Sequence, residues 1–285
     1  MKRLFLWLLL SVAILAIGAF GGYQLWQAST GKLEPLSEKV IKRHAVISVP
    51  YSPLTTAGLG PVSAEWNRIP QTELALFPQV LMVPWGKEKK KLLVRAVHDE
   101  KKIAFQVSWP DATKNDRMLE KVAYPDATAI MFPLKHVRPS SIMMGFLEPV
   151  NIWHWKAARK HTPNLPHTDY TTPLEKGTLL AKHRADVAPS KQGSEIIDFM
   201  AVMPASLTEK VEQSVNGSAQ WVNGKWYATF SRDLTSASEE DSQFDLHGEN
   251  WAGFALWDGE KKERGPRKSI SDWVRLDFGE KRAVR

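Results

Sequence analysis

The sequence predicts an all-β protein, a β-sandwich preceded by one N-terminal transmembrane helix, in a chain of 285 residues. Three observations predict it. After the first apolar run, short segments of strand character follow one another with turn residues between them. One of them, Lys101 to Trp109, alternates apolar and polar residues with the period of a half-buried strand. Helical periodicity is absent beyond residue 27, which points to a sandwich rather than a mixed fold.

The elements follow in chain order. Lys2-Arg3 precedes an unbroken apolar run from Leu4 to Phe20, near the roughly 17–25 residues that cross a bilayer. A signal peptide has a shorter apolar core of about 7–15 residues, and Gln24-Leu25-Trp26-Gln27 makes a poor cleavage site. Residues 1–27 therefore read as an uncleaved anchor, with a cleaved signal as the alternative. Tyr23 and Trp26 suit the membrane interface, and the positive-inside rule keeps Lys2-Arg3 in the cytoplasm. Either reading exports everything from Gln27 onward, so a periplasmic location follows.

Residues 28–60 are rich in Pro, Gly, Ser and Thr and read as a stalk with one strand at Ala45–Val49. Residues 61–285 form the sandwich domain. Its strands are expected at Glu73–Phe77, Leu92–Val97, Ile103–Ser108, Ala127–Phe132, Asn151–Lys156, Ser218–Val222, Lys225–Ser231, Trp251–Trp257 and Asp272–Phe278. Asn223-Gly224 between two of them is a hairpin signal. Pro163 to Gly193 is polar and poorly patterned, an excursion from the sandwich.

Composition narrows the chemistry. Cysteine is absent, which excludes disulfides, thiolate-held metal clusters and c-type haem attachment. The formal charge is +7, with basic clusters at Lys87–Lys91 and Lys261–Lys268. Such a balance fits nucleic acid, an anionic membrane or an acidic protein. Lysine runs between strand-like segments are read as solvated loops, and no nucleic-acid partner is expected.

Twelve tryptophans can be core, a sugar-stacking platform or the walls of a pocket for a flat ligand. The eight histidines show no zinc-site spacing. His98-Asp99 reads as a turn. His154, between Trp153 and Trp155, points to the face opposite both and reads as a satisfied histidine, not a ligand. No nucleophile-elbow, P-loop or dinucleotide motif occurs, so motifs support no catalytic site. Met143-Met144-Gly145 is core filler by composition, although a thioether is also a ligand for haem iron.

Read together, the landmarks carry a resemblance. In order they are Trp66-Asn67-Arg68-Ile69-Pro70, Glu73 to Gln79, Ala96 to Asp99 with Ile103 to Asp111, Tyr124 to Pro133, Met144-Gly145, Val150 to Ala157, Trp226 to Arg232, Trp251 to Gly259 and Glu263 to Trp273. The set resembles the haem-b-binding domain of the ethylbenzene-dehydrogenase type, the gamma subunit found with type II members of the dimethyl-sulfoxide-reductase family of molybdenum enzymes. The resemblance covers about Trp66 to Phe278.

It implies one haem b with an axial methionine and an axial lysine, which fall on Met144 and Lys268. Met143 is the close competitor of Met144. Arg267 cannot replace Lys268, because a guanidinium keeps its proton. Trp153, Trp155, Trp257 and Trp273, near the two ligands in sequence, are candidates to pack on the ring. The resemblance further implies a non-catalytic electron-transfer subunit. Its partners would be a molybdopterin catalytic subunit, an iron–sulfur subunit, and a c-type cytochrome or another redox protein. An exported carbohydrate-binding module without haem is the competing expectation.

Overall fold

The computed structural model of the chain describes residues 44–53, 58–81, 85–118, 123–135, 148–161, 195–203 and 206–279. The anchor expected over residues 1–27, most of the stalk, the excursion at Pro163–Gly193 and the Met143-Met144 pair lie outside the described residues. Among those described, no helix is long and apolar enough to cross a membrane.

The architecture is all-β. Among the described residues thirteen strands run in the order β1 Val46–Ser48, β2 Thr72–Pro78, β3 Lys90–His98, β4 Lys102–Pro110, β5 Ala127–Pro133, β6 Val150–Lys156, β7 Ile196–Ala201, β8 Thr208–Glu209, β9 Asn216–Val222, β10 Lys225–Asp233, β11 Asn250–Trp257, β12 Ser269–Ile270 and β13 Val274–Asp277. Hydrogen bonds order them β8-β7-β6-β5-β11-β12-β2-β3-β4-β10-β9, with β13 joining β11 to β1. The first layer is β8-β7-β6-β5-β11 and the second is β2-β3-β4-β10-β9, with β12 linking them at one side.

Each strand sends alternate side chains inward, and the two inner faces meet in one core. Phe105 of β4 lies 5.7 Å from Phe132 of β5 and 6.0 Å from Trp153 of β6, between ring centroids. Trp155 packs 4.8 Å from Trp226. Aromatic pairs at these spacings add about 0.5–1.5 kcal/mol beyond their buried area.

All nine expected strands of the domain form, and so does the short one near residue 46. It pairs in parallel with β13 and buries Ile47 and Val49 completely. The β9–β10 hairpin turns through Asn223 and Gly224, both at positive φ, the geometry a two-residue turn requires. His98-Asp99 also forms a turn: Asp99 Oδ1 accepts the Lys101 and Lys102 amides at 3.0 and 2.7 Å.

Strand β4 departs from the half-buried expectation, because it is buried on both faces. Its outer side is covered by the segment around a 3-10 turn, Ala64–Arg68. There Trp66, Ile69, Val97 and Ala104 form a second cluster, and Gln106 Nε2 donates to the Pro61 carbonyl at 2.7 Å. Strands β7, β8 and β12 were not expected.

The tryptophans settle mostly into packing. Trp66, Trp109, Trp153, Trp155, Trp226, Trp251 and Trp273 are buried, while Trp85, Trp221 and Trp257 are half-buried. Among the described residues no tryptophan is exposed, so no open sugar-stacking row exists there.

Candidate functional site

The second face of the β8-to-β11 layer is unusual, and the register defines it. Phe77, Ile270, Ala255, Ala129, His154 and Ile197 stand opposite one another across β2, β12, β11, β5, β6 and β7. The next row is Gly253, Met131, Ile152 and Phe199. The row on the other side is Trp257, Ala127 and Lys156. All lie on the face away from the core, since Ile130, Phe132, Trp153, Phe254 and Leu256 take the inward positions. The centre of this face, on β5 and β11, is built from Ala127, Ala129, Gly253 and Ala255. Larger apolar side chains, His154 and the buried Lys156 surround it. A strand centre made of Gly and Ala forgoes the bulky side chains that sheets favour, and it lets a flat body approach the backbone closely.

Lys268 stands at the edge of this floor, just before β12. It shares the parity of Ile270, whose side chain belongs to the floor row. Its Nζ lies 5.4 Å from the Trp257 ring centroid. Its carbonyl accepts the Gln79 amide at 2.8 Å, which ties the segment to the end of β2. Trp257 is fixed in turn by its Nε1, which donates to the Gly265 carbonyl at 2.9 Å.

The β11–β12 connection is braced by Glu263. It is 4 % exposed, accepts from Lys90 Nζ at 2.7 Å and accepts the Asp258 amide at 2.9 Å. Lys268 makes no ion pair among the described residues. Lys268 is half-buried, and this desolvation lowers its pKa to about 8, because withdrawing an ammonium from water penalises the charged form. An amine so placed gives up its proton to a metal more readily than a surface lysine.

His154 lies on the floor, as its alternation with Trp153 and Trp155 predicted, and is buried. Its Nδ1 sits 3.0 Å from Arg159 Nη2, and its carbonyl accepts Arg159 Nη1 at 2.7 Å. A guanidinium only donates, so Nδ1 accepts and the neutral ring carries its proton on Nε2. The one in-plane lone pair of the neutral ring is thereby engaged by Arg159. Trp153 and Trp155 are corrected by the structure: they face the inter-sheet core and cannot pack on a ligand lying on the floor. Trp257 is on the floor side. Trp273 packs with Val150, Ala201, Trp251 and the floor residues Met131 and Ile152.

Two charged groupings were not expected from the sequence. In the first, Lys210 Nζ bonds Asp198 Oδ2 at 3.0 Å and also Asp241, all but completely buried. Arg232 Nη1 reaches Asp241 at 2.8 Å, and Asn151 Nδ2 donates to Asp198 Oδ1 at 2.5 Å. Burial raises Asp198 to about 6, against the pull of Lys210. The second brings Asp111, Asp126 and Asp258 together, one oxygen of each within 4.8 Å of the others. Asp126 accepts the Gly259 and Asn115 amides and Trp226 Nε1, each at 2.9 Å. Burial, with the Asp111 charge adding to it, pushes Asp126 up to about 7. No spacing in the sequence signals either grouping, since each draws on distant strands and turns.

The fold and this face define an all-β sandwich with a flat apolar floor and a lysine of lowered proton affinity at its edge. The family described as Ethylbenzene dehydrogenase matches residues 63–269, and the chain belongs to that family. It is 24% identical over 222 residues to a protein of Haloferax mediterranei named as a proposed respiratory nitrate reductase heme subunit, covering 77% of this chain and 68% of that one. It is 26% identical over 265 residues to the chlorate reductase subunit gamma of Ideonella dechloratans, covering 90% of this chain and 95% of that one. Among solved structures, a family 9 carbohydrate binding module from Caldicellulosiruptor kristjanssonii, in complex with cellotriose, aligns with a TM-score of 0.42 and 9% identity. It covers 84% of this chain and 97% of that one; a likeness of this extent bears on neither ligand nor activity.

Proposed function

We propose that this chain is the electron-transfer haem b subunit of a molybdoenzyme respiratory complex, exported and anchored at the extracytoplasmic face of the membrane by residues 1–27. The observation that carries the reading is Lys268: a lysine with no ion pair among the described residues and a pKa lowered to about 8, beside a floor of Ala127, Ala129, Gly253 and Ala255. The residues present fit the group. The floor would support a flat apolar ring, and Lys268 through its amine and Met144 through its thioether would hold the iron. Met144 lies in sequence between β5 and β6, whose adjoining residues Pro133 and Val150 are paired. Bound there, haem b supplies a one-electron site, and neutral nitrogen and thioether ligands favour a fairly high potential.

The chain's own residues bind, orient and shield. The floor excludes water from one side, Trp257 fixes the approach of Lys268, and Glu263 with Lys90 holds the β11–β12 connection in place. The names of the two relatives, a heme subunit and a subunit gamma, support the assignment and the expectation of partners. These are a molybdopterin subunit that performs the chemistry, an iron–sulfur subunit, and a c-type cytochrome or similar redox protein outside the membrane. The chain would itself be non-catalytic. The carbohydrate-binding alternative gains nothing from the described tryptophans, which are buried or half-buried.

The test is spectroscopic. The full chain expressed with haem supply should give a reduced b-type spectrum, and Met144→Ala and Lys268→Ala should each alter or abolish it, while Met143→Ala should not. A well-folded chain that never takes up haem would sink the proposal.

A further inference from the structure

The floor's edge is also where the chain concentrates its positive charge. Segments 85–91 and 258–267 carry eight cations against four carboxylates, a surplus of four out of a formal +7 for the whole chain. The structure brings these segments together. Lys90 bridges to Asp258 and Glu263 at 3.3 and 2.7 Å, and Lys261 pairs with Glu88. Those contacts consume the buried acids. Lys87, Lys89, Lys262 and Arg267 are exposed and make no ion pair among the described residues, so their charges face solvent.

Apolar surface lies beside them. Phe77 is 37 % and Val80 67 % exposed. Phe77 pairs with Ile270, Lys89 Nζ sits 5.1 Å over its ring, and Gln79, next to Val80, is bonded to Lys268. An apolar centre with a charged rim is the anatomy of a protein–protein interface. A lipid surface also takes basic and apolar groups together, but the exposed Glu88 and Glu260 interleaved among these lysines favour a protein face, on which charges of both signs find partners.

We infer that the rim formed by Lys87, Lys89, Lys262 and Arg267, around Phe77 and Val80, docks the acidic face of an electron-transfer protein directly beside Lys268. The inference rests on the proposed haem site for the nature of the partner, and on the surface charge alone for its sign. Long-range attraction of this kind steers encounter and fixes register more than it adds affinity, and it is screened over about 8–10 Å at physiological salt.

Binding tests it without requiring haem. The full chain in neutral detergent, with and without haem, is titrated calorimetrically with flavodoxin, an acidic electron-transfer protein, and with basic mitochondrial cytochrome c. The expected result is weak binding of flavodoxin only, lost between 20 and 300 mM salt as expected for screened surface charges. The triple variant Lys87→Glu/Lys89→Glu/Lys262→Glu should weaken it by about tenfold or more and leave the haem spectrum unchanged. Lys101→Glu, in the β3–β4 turn at the far end of β3 from Lys90, should have little effect.

Equal binding of both proteins, no binding of either, or indifference to the triple variant would overturn the inference. So would loss of binding to phosphatidylserine vesicles in the triple variant while flavodoxin binding persists, which would assign the rim to the membrane. A chain that binds flavodoxin in this salt-sensitive way yet takes up no haem would leave the rim standing and remove the haem site.

Discussion

Replacing Ala255 with leucine puts the floor to a direct test. Ala255 stands in the middle of the row between Ile270 and Ala129 and is half-buried, so an isobutyl branch there projects from the face away from the core. Neighbouring strands are about 4.8 Å apart, so the new branch would stand over the Ala129 position as well as its own. A flat ring on the floor would then be lifted away from β5 and β11, while a bond from Lys268 has a fixed length. With haem bound as proposed, either the ring would leave the floor or the lysine would leave the iron. Overpacking of this kind costs about 1–3 kcal/mol, which is roughly a 5- to 150-fold loss of haem affinity at about 1.4 kcal/mol per tenfold. Titrating haem into the apo-chain and following the Soret band measures it, with urea unfolding of the apo-chain as the control for stability. Haem affinity within twofold of the parent, with an unchanged spectrum, would refute the floor as the binding surface.

Three further outcomes concern the framework. Lys210→Met leaves Asp198 and Asp241 without their shared cation in the interior and should destabilise the fold by about 3–5 kcal/mol in urea. The raised carboxyls give a pH dependence: Asp126, up from 3.8 to about 7, and Asp198, up to about 6, hold protons in the folded chain that the unfolded chain has already lost. The folded state therefore binds more protons between about pH 4 and 7, and stability should fall as pH rises through that window, by on the order of a few kcal/mol; Asp126→Asn should flatten the curve of unfolding midpoint against pH. Gly259→Ala places a methyl 2.0 Å from the Tyr124 carbonyl oxygen and should cost about 1–3 kcal/mol, read as a lower thermal midpoint.

Much of the framework was legible in the chain because it is written locally. Strand alternation, the Asn223-Gly224 turn and the His98-Asp99 turn depend on neighbours a few residues apart, and each forms where the pattern places it. Strand β12 escaped because two residues carry no periodicity; only pairing with β2 and β11 makes Ser269–Ile270 a strand. Strand β7 carries Asp198 on its inward face, a charge that a single-sequence reading takes as outward, and Lys210 and Asn151 are what make it acceptable inside. The double burial of β4 depends on a covering segment that precedes it by some forty residues.

For the site, Lys268 is marked by the family resemblance and not by its own physics, since a lone lysine in a basic loop looks like solvated surface. What the sequence determined alone is the class of fold, the strand-and-turn order, the exclusion of cysteine chemistry and the placing of His154 on the face opposite Trp153 and Trp155. The tertiary structure decided which tryptophans are core, that Ala127, Ala129, Gly253 and Ala255 make one continuous floor, and that Lys268 stands at its edge with a lowered proton affinity. The reason is physical. Periodicity records which way each side chain points from its own strand, whereas register, burial and desolvation arise only when distant strands are set side by side.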